Sequence, residues 1–297
     1  MQHLNSSNSS TIYLPPEKIA ASCVMALCFL LGVPGNIAVM VRLAGWIKGD
    51  SFTTRLMMSL AASDLLNLLS LPLWIFALLH SWIFGLFLCK FLSYMVYLNL
   101  YCSILCVILL SVQRYIQILH PQKWSKLGRR GQKILVSGVW LLSGVFASYS
   151  LIRRTVLRNN RKLMCVSDYQ NDIEQVATSL WETLLLAVSF LILTYFYFHL
   201  YTGVNRLVFL KSHKIAKLLT RIVVIFFACW VPYFINNIVL IAAVLLKNGS
   251  VIKLAKSGNH ITRALTFINS CVNPFLYAFS SRALRQQPAE TEKSEAH

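Results

Sequence analysis

Six polar side chains, Asn36, Asp64, Asn99, Ser103, Asn269 and Asn273, lie deep inside long apolar runs, where they are least tolerable. A lone buried Asn usually joins two helices by a hydrogen bond. Asp64 poses the sharper chemical question. A carboxylate in an apolar medium needs a proton, a cation or a network of donors. His199 stands alone in its run, without the Glu at helical spacing that acid–base or metal chemistry would use, so the pattern speaks against an enzyme. Of the eight cysteines, Cys23, Cys28, Cys102, Cys106, Cys229 and Cys271 fall within apolar runs and read as small hydrophobes. Cys89 and Cys165 do not.

The elements that must position these residues follow from composition. Hydrophobic residues make up 57% of the chain and charged ones 13%, a balance that would leave large sticky patches in water. Lipid is the natural solvent. A helix needs about 20 mostly apolar residues to cross the hydrocarbon core. Seven segments meet that need, approximately 19–45, 54–79, 89–119, 133–153, 177–205, 216–246 and 260–280. Met1 to Ser10 are polar and uncharged with no cleavable leader evident, so the first run is expected to serve as targeting signal and first span together.

The net charge is +18, from 28 Lys and Arg against 10 Asp and Glu, and the basic residues cluster between the runs. That placement suits headgroups and excludes a nucleic-acid face. Arg42, Lys48 and Arg55 follow the first span, Lys123 to Lys133 the third, and Lys211, Lys214 and Lys217 the fifth. The positive-inside rule makes those loops cytoplasmic. The glycan acceptor sequences at Asn5, Asn8 and Asn248 then fall outside, as does the N-terminus. Cys89 and Cys165 both face the oxidising side in this topology, so a disulfide is expected between them.

The expected fold is an all-α membrane protein, a seven-transmembrane bundle with the N-terminus outside and a short amphipathic helix after span seven. Residues 1–18 would form the extracellular tail, 19–285 the membrane domain and 286–297 a polar cytoplasmic tail. No inverted repeat, polar pore or paired broken helices points to a transporter or channel.

Several motifs then occur in order on the right spans: Gly35-Asn36, Leu60-Ala61-Ala62-Ser63-Asp64, Trp140, Cys229-Trp230-Val231-Pro232, and Asn273-Pro274-Phe275-Leu276-Tyr277. Together they resemble the rhodopsin-like class of G-protein-coupled receptors across nearly the whole chain. The resemblance implies a plasma-membrane receptor that engages a heterotrimeric G protein, of the Gi family by its subgroup, with arrestin as a further partner. It implies no cofactor beyond an allosteric sodium ion, held by Asp64, Ser103, Asn269 and Asn273. Trp230 would report ligand occupancy, and Pro232, which removes a backbone hydrogen bond, would be the kink about which span six swings. Gln113-Arg114-Tyr115, Asn273, Pro274 and Tyr277 would form the inner switch.

Two departures from that pattern stand out. Gln113 takes the place of an acidic residue before Arg114, and an amide cannot form the ion pair that restrains the arginine. Span five has no proline; Phe190 stands in its place. Raised basal activity and silence are the two expected directions, the second being a non-signalling decoy.

Within the class, Arg154-Thr155-Val156, Trp82 to Gly85 and Phe267 to Tyr277 resemble leukotriene B4 receptors of the chemoattractant group. The implied ligand is an anionic lipid. Tyr97, Leu100, Tyr101 and Trp230 would line its chain, Arg154 or Arg263 would take its carboxylate, and Glu182 would accept from its hydroxyls. Val96 stands where amine receptors keep an aspartate, which discounts an amine. A peptide or chemokine ligand is the rival, although its basic form would want an acidic outer rim, and this rim is basic.

Overall fold

The computed structural model describes residues 14–45, 52–159, 162–206 and 210–285. For 118, 159, 197, 200, 201, 203–206, 210–223 and 275–285 it describes the backbone alone. The expected tails, including Asn5 and Asn8, lie largely outside these residues.

Ten helices and one hairpin follow in order among the described residues. Span one is α1 (Pro16–Gly45). Span two is split into α2 (Phe52–Leu69) and α3 (Leu71–Leu79). Pro72 causes the split, because it lacks an N–H and its ring displaces the preceding turn. The break is repaired locally, with Ser70 Oγ donating to the Asn67 carbonyl at 2.6 Å. Span three is α4 (Gly85–Leu119), followed by the short α5 (Pro121–Ser125). Span four comprises α6 (Arg129–Ala147) and α7 (Tyr149–Arg153). Spans five, six and seven are α8 (Asp172–Arg206), α9 (Leu210–Leu245) and α10 (Gly249–Arg285).

The burial pattern is that of a protein dissolved in lipid. Leu191 is 71% and Leu141 69% exposed, whereas Asn36 and Asp64 are fully buried. Polar groups face inward because lipid offers them no hydrogen bonds. Among the described residues, six helical spans are long and apolar enough to cross a membrane on length and composition alone. The last, α10, is more polar, and it packs against α1 and α9 within the bundle. Gly32 and Gly35 permit that packing. A Cβ on Gly32 would lie 3.1 Å from Cys271 Sγ, and one on Gly35 would lie 3.1 Å from the ring of Pro274. Asn36 Nδ2 closes the same seam by donating to the Ser270 carbonyl at 3.0 Å.

The outer loop between spans four and five adds something to the expected helical bundle. It folds as an antiparallel hairpin, β1 (Arg154–Asn159) with β2 (Lys162–Ser167), pairing Val156 with Cys165. The Cys89–Cys165 disulfide pins it to span three, with the Cα atoms 5.6 Å apart. The Trp82 N–H holds the second strand by donating to the Leu163 carbonyl at 2.8 Å. Trp82 is itself fixed by an indole bond to the Gly85 carbonyl at 2.8 Å, where φ is +76° and a side chain would be strained.

Two expected boundaries shift. Span seven begins at Gly249 rather than near 260, capped by Asn248, whose Oδ1 accepts from the Val251 N–H at 3.2 Å. No separate short helix after span seven is distinguished among the described residues, since α10 runs unbroken to Arg285.

Candidate functional site

Two polar clusters lie within the bundle, one at each of its buried carboxylates. At Asp64, Asn99 Nδ2 donates to Oδ1 at 2.9 Å and Asn273 Nδ2 to Oδ2 at 2.8 Å. Asn99 Nδ2 also reaches Ser63 Oγ at 3.3 Å, and Asn99 Oδ1 accepts from Asn67 at 2.9 Å and Ser270 at 3.4 Å. Asn269 Nδ2 donates to Ser103 Oγ at 2.9 Å. Spans two, three and seven are thus tied by neutral donors. Among the described residues no basic side chain pairs with Asp64, and Asn67 Oδ1 is buried without a partner. An unneutralised carboxylate amid serine and amide oxygens suits a small hard cation.

The second cluster lies at the outer end of the bundle. Glu182 on span five is buried, and each carboxylate oxygen takes one phenol: Tyr97 of span three donates to Oε1 at 3.1 Å, and Tyr233 of span six donates to Oε2. The Arg263 guanidinium carbon sits 6.0 Å from the Tyr233 ring centroid, within cation–π range. It forms no ion pair among the described residues, although Glu182, Tyr97 and Tyr169 lie within its electrostatic reach. In the loop above, burial and then the Glu182 charge push the Tyr169 phenol up from its ordinary value, with Arg263 and Arg154 opposing.

A small cavity of about 20 Å³, lined by Tyr97, Tyr101, Phe146, Arg154, Trp181 and Glu182, lies between this cluster and the hairpin. Arg154 opens β1, and its Nε is buried without a partner. Neighbouring Arg153 is engaged elsewhere, in an ion pair with Glu174. The structure therefore brings together Tyr97, Tyr101, Arg154 and Glu182, with Arg263 beside the Tyr233 ring. Leu100 and Trp230 lie among an apolar cluster that includes Ile104, Leu186, Phe226 and Tyr233. Sequence reasoning passed over Tyr233, although it stands one helical turn from Trp230.

At the inner end, Gln113 is buried and turned from Arg114, its Nε2 donating to Thr53 Oγ1 at 2.6 Å. Among the described residues Arg114 donates along its own helix, to Gln117 Oε1 at 3.5 Å. The Tyr115 ring packs on Phe196 at 5.3 Å. Asn273 joins the Asp64 network, Pro274 abuts Gly35, and the side chain of Tyr277 lies outside the described residues. Phe190, in the place of the missing proline, packs its ring 4.5 Å from Phe227 of span six. Pro232 lies inside the continuous α9, and the Trp230 and Tyr233 rings on either side of it in sequence are 6.4 Å apart.

A bundle of spanning helices, an outer pocket under a pinned hairpin and a buried polar network leading inward define a membrane receptor. The sequence pattern of the 7 transmembrane receptor (rhodopsin family) matches residues 35–277, and the chain belongs to that family. It is similar to the human C-X-C chemokine receptor type 2, with 32% identity over 88% of this chain and 75% of the relative. The human C-X-C chemokine receptor type 1 is likewise 32% identical, over 91% of this chain and 79% of the relative. The type-1 angiotensin II receptor A of Xenopus laevis is 29% identical over 94% and 85%. The chain is thus a cell-surface, multi-pass G-protein-coupled receptor, with an extracellular ligand and a heterotrimeric G protein as partners, and not an enzyme.

Proposed function

We propose that this receptor responds to a chemoattractant-type peptide that presents an acidic group to Arg154 and Arg263 and activates a Gi-family G protein. The single observation that carries the reading is the pocket chemistry. Two guanidiniums that have no ion-pair partner among the described residues lie near a carboxylate already occupied by phenols. Such a site takes an anion through charge-assisted, bidentate hydrogen bonds. The names of the relatives, chemokine and angiotensin II receptors, favour a peptide. Its C-terminal or side-chain carboxylate would supply the acid that the basic rim attracts.

An anionic lipid of the leukotriene B4 type is the second reading. Tyr97, Tyr101, Phe146 and Trp181 give the cavity apolar walls, and Trp181 is 48% exposed where lipid meets the bundle. Both ligand classes share the acid. Arrestin would join the G protein as an inner partner. We assign Asp64, Ser103, Asn269 and Asn273 to an allosteric sodium ion, which would supply the charge that Asp64 lacks and favour the inactive state. Cys89–Cys165 holds the lid, and Asn5, Asn8 and Asn248 are the glycan acceptors.

The experiment is nucleotide exchange by reconstituted Gi, with purified receptor and a panel of chemoattractant peptides, acidic lipids and their amides or methyl esters. A peptide that drives exchange, and loses potency on masking its carboxylate, supports the reading. Response to an acidic lipid alone selects the second reading. Peptide binding without exchange makes the chain a decoy.

A further inference from the structure

Glu182 joins three helices through one carboxylate, and only one of its bonds crosses to the segment that must move. Tyr97 belongs to span three and Tyr233 to span six, immediately after Pro232. A phenol donating to a carboxylate makes a charge-assisted bond, roughly twice as strong as a neutral one. Among the described residues neither phenol hydroxyl has another partner. The Tyr233 ring also lies beside both the Arg263 guanidinium, 6.0 Å from its centroid, and the Trp230 ring, 6.4 Å away. Whatever shifts Tyr233 is therefore felt at Trp230.

We infer that the Glu182–Tyr233 bond is the clasp that holds span six closed. An agonist opens it by giving Glu182 a competing hydrogen-bond donor while its acidic group draws Arg263 off the Tyr233 ring. This rests on the receptor reading above and adds to it a ligand requirement: an acid and a donor, hydroxyl or amide, spaced to meet Arg263 and Glu182 together. An acid lacking the donor would bind without opening the clasp. The two readings of ligand class are equally served.

The clasp is tested without any ligand. Full-length receptor in nanodiscs carries spin labels at the inner ends of spans three and six, and the fraction with the wider spacing is measured. Tyr233→Phe keeps the ring and deletes the hydroxyl; Glu182→Leu removes the acceptor. Each should raise the open fraction roughly 10-fold over wild type, the effect of losing one hydrogen bond to a charged group. Glu182→Gln loses the charge and keeps one acceptor oxygen for two phenols, so its open fraction should fall between wild type and Glu182→Leu. Tyr233→Phe with the wild-type open fraction overturns the clasp. Nucleotide exchange on the same samples separates the two ideas. Opening without exchange leaves the clasp standing and removes the signalling reading; agonist-driven exchange with unchanged spacing in Tyr233→Phe does the reverse.

Discussion

The bundle buries two carboxylates and treats them differently. Asp64 is fully enclosed and met by neutral amides. Glu182 is met by two phenols, borders a cavity and has two guanidiniums nearby. A charge walled in by neutral donors still calls for a small cation that can reach it. A charge beside loosely held cations can exchange partners with a large molecule. The first arrangement suits sensing of state, the second sensing of ligand.

Cys89→Ser with Cys165→Ser frees the hairpin lid, and removing such a disulfide typically costs about 2–5 kcal/mol. Surface expression and agonist affinity should both collapse in binding assays on intact cells. Retained affinity would show that the hairpin does not shape the outer site.

Next in size are the arginines. Arg263→Ala or Arg154→Ala should weaken an acidic agonist by roughly 10- to 150-fold, equivalent to about 1.5–3 kcal/mol. Its amide or methyl ester should be spared, with both measured at matched surface expression. Equal loss for the masked ligand would make these residues structural.

The smallest effect is expected at the inner end. Gln113 ties span three to Thr53 and leaves Arg114 without an acidic partner among the described residues. Gln113→Glu restores a charge beside the guanidinium and should lower basal nucleotide exchange by a few-fold, as befits an ion pair of about 1 kcal/mol. Unchanged basal exchange would show that the Thr53 bond already does the restraining.

Much of this was legible in the sequence because lipid imposes a simple rule. Apolar runs of spanning length marked seven spans, and the polar residues that break them marked Asp64 and its amide and serine neighbours. Span seven was harder at its outer end. Lys253 and Lys256 fall before the expected start near 260, yet they ride on a helix that begins at Gly249. The hairpin was missed because its strands are short and are fixed by a distant disulfide and by Trp82, neither of which is a local signal. Tyr233 was missed for a different reason. An aromatic on an apolar span looks like packing until its hydroxyl is seen to meet Glu182, 51 residues earlier.

The division of labour between the two carboxylates is most directly tested by ligand-free thermal unfolding of the purified receptor in sodium and in choline chloride. Wild type and Glu182→Gln should both gain a few degrees in sodium, since an ion bound only by the folded, inactive state adds stability of about RT ln(1 + [L]/Kd). Asp64→Asn should gain nothing. A sodium shift retained in Asp64→Asn, or lost in Glu182→Gln, would contradict the account.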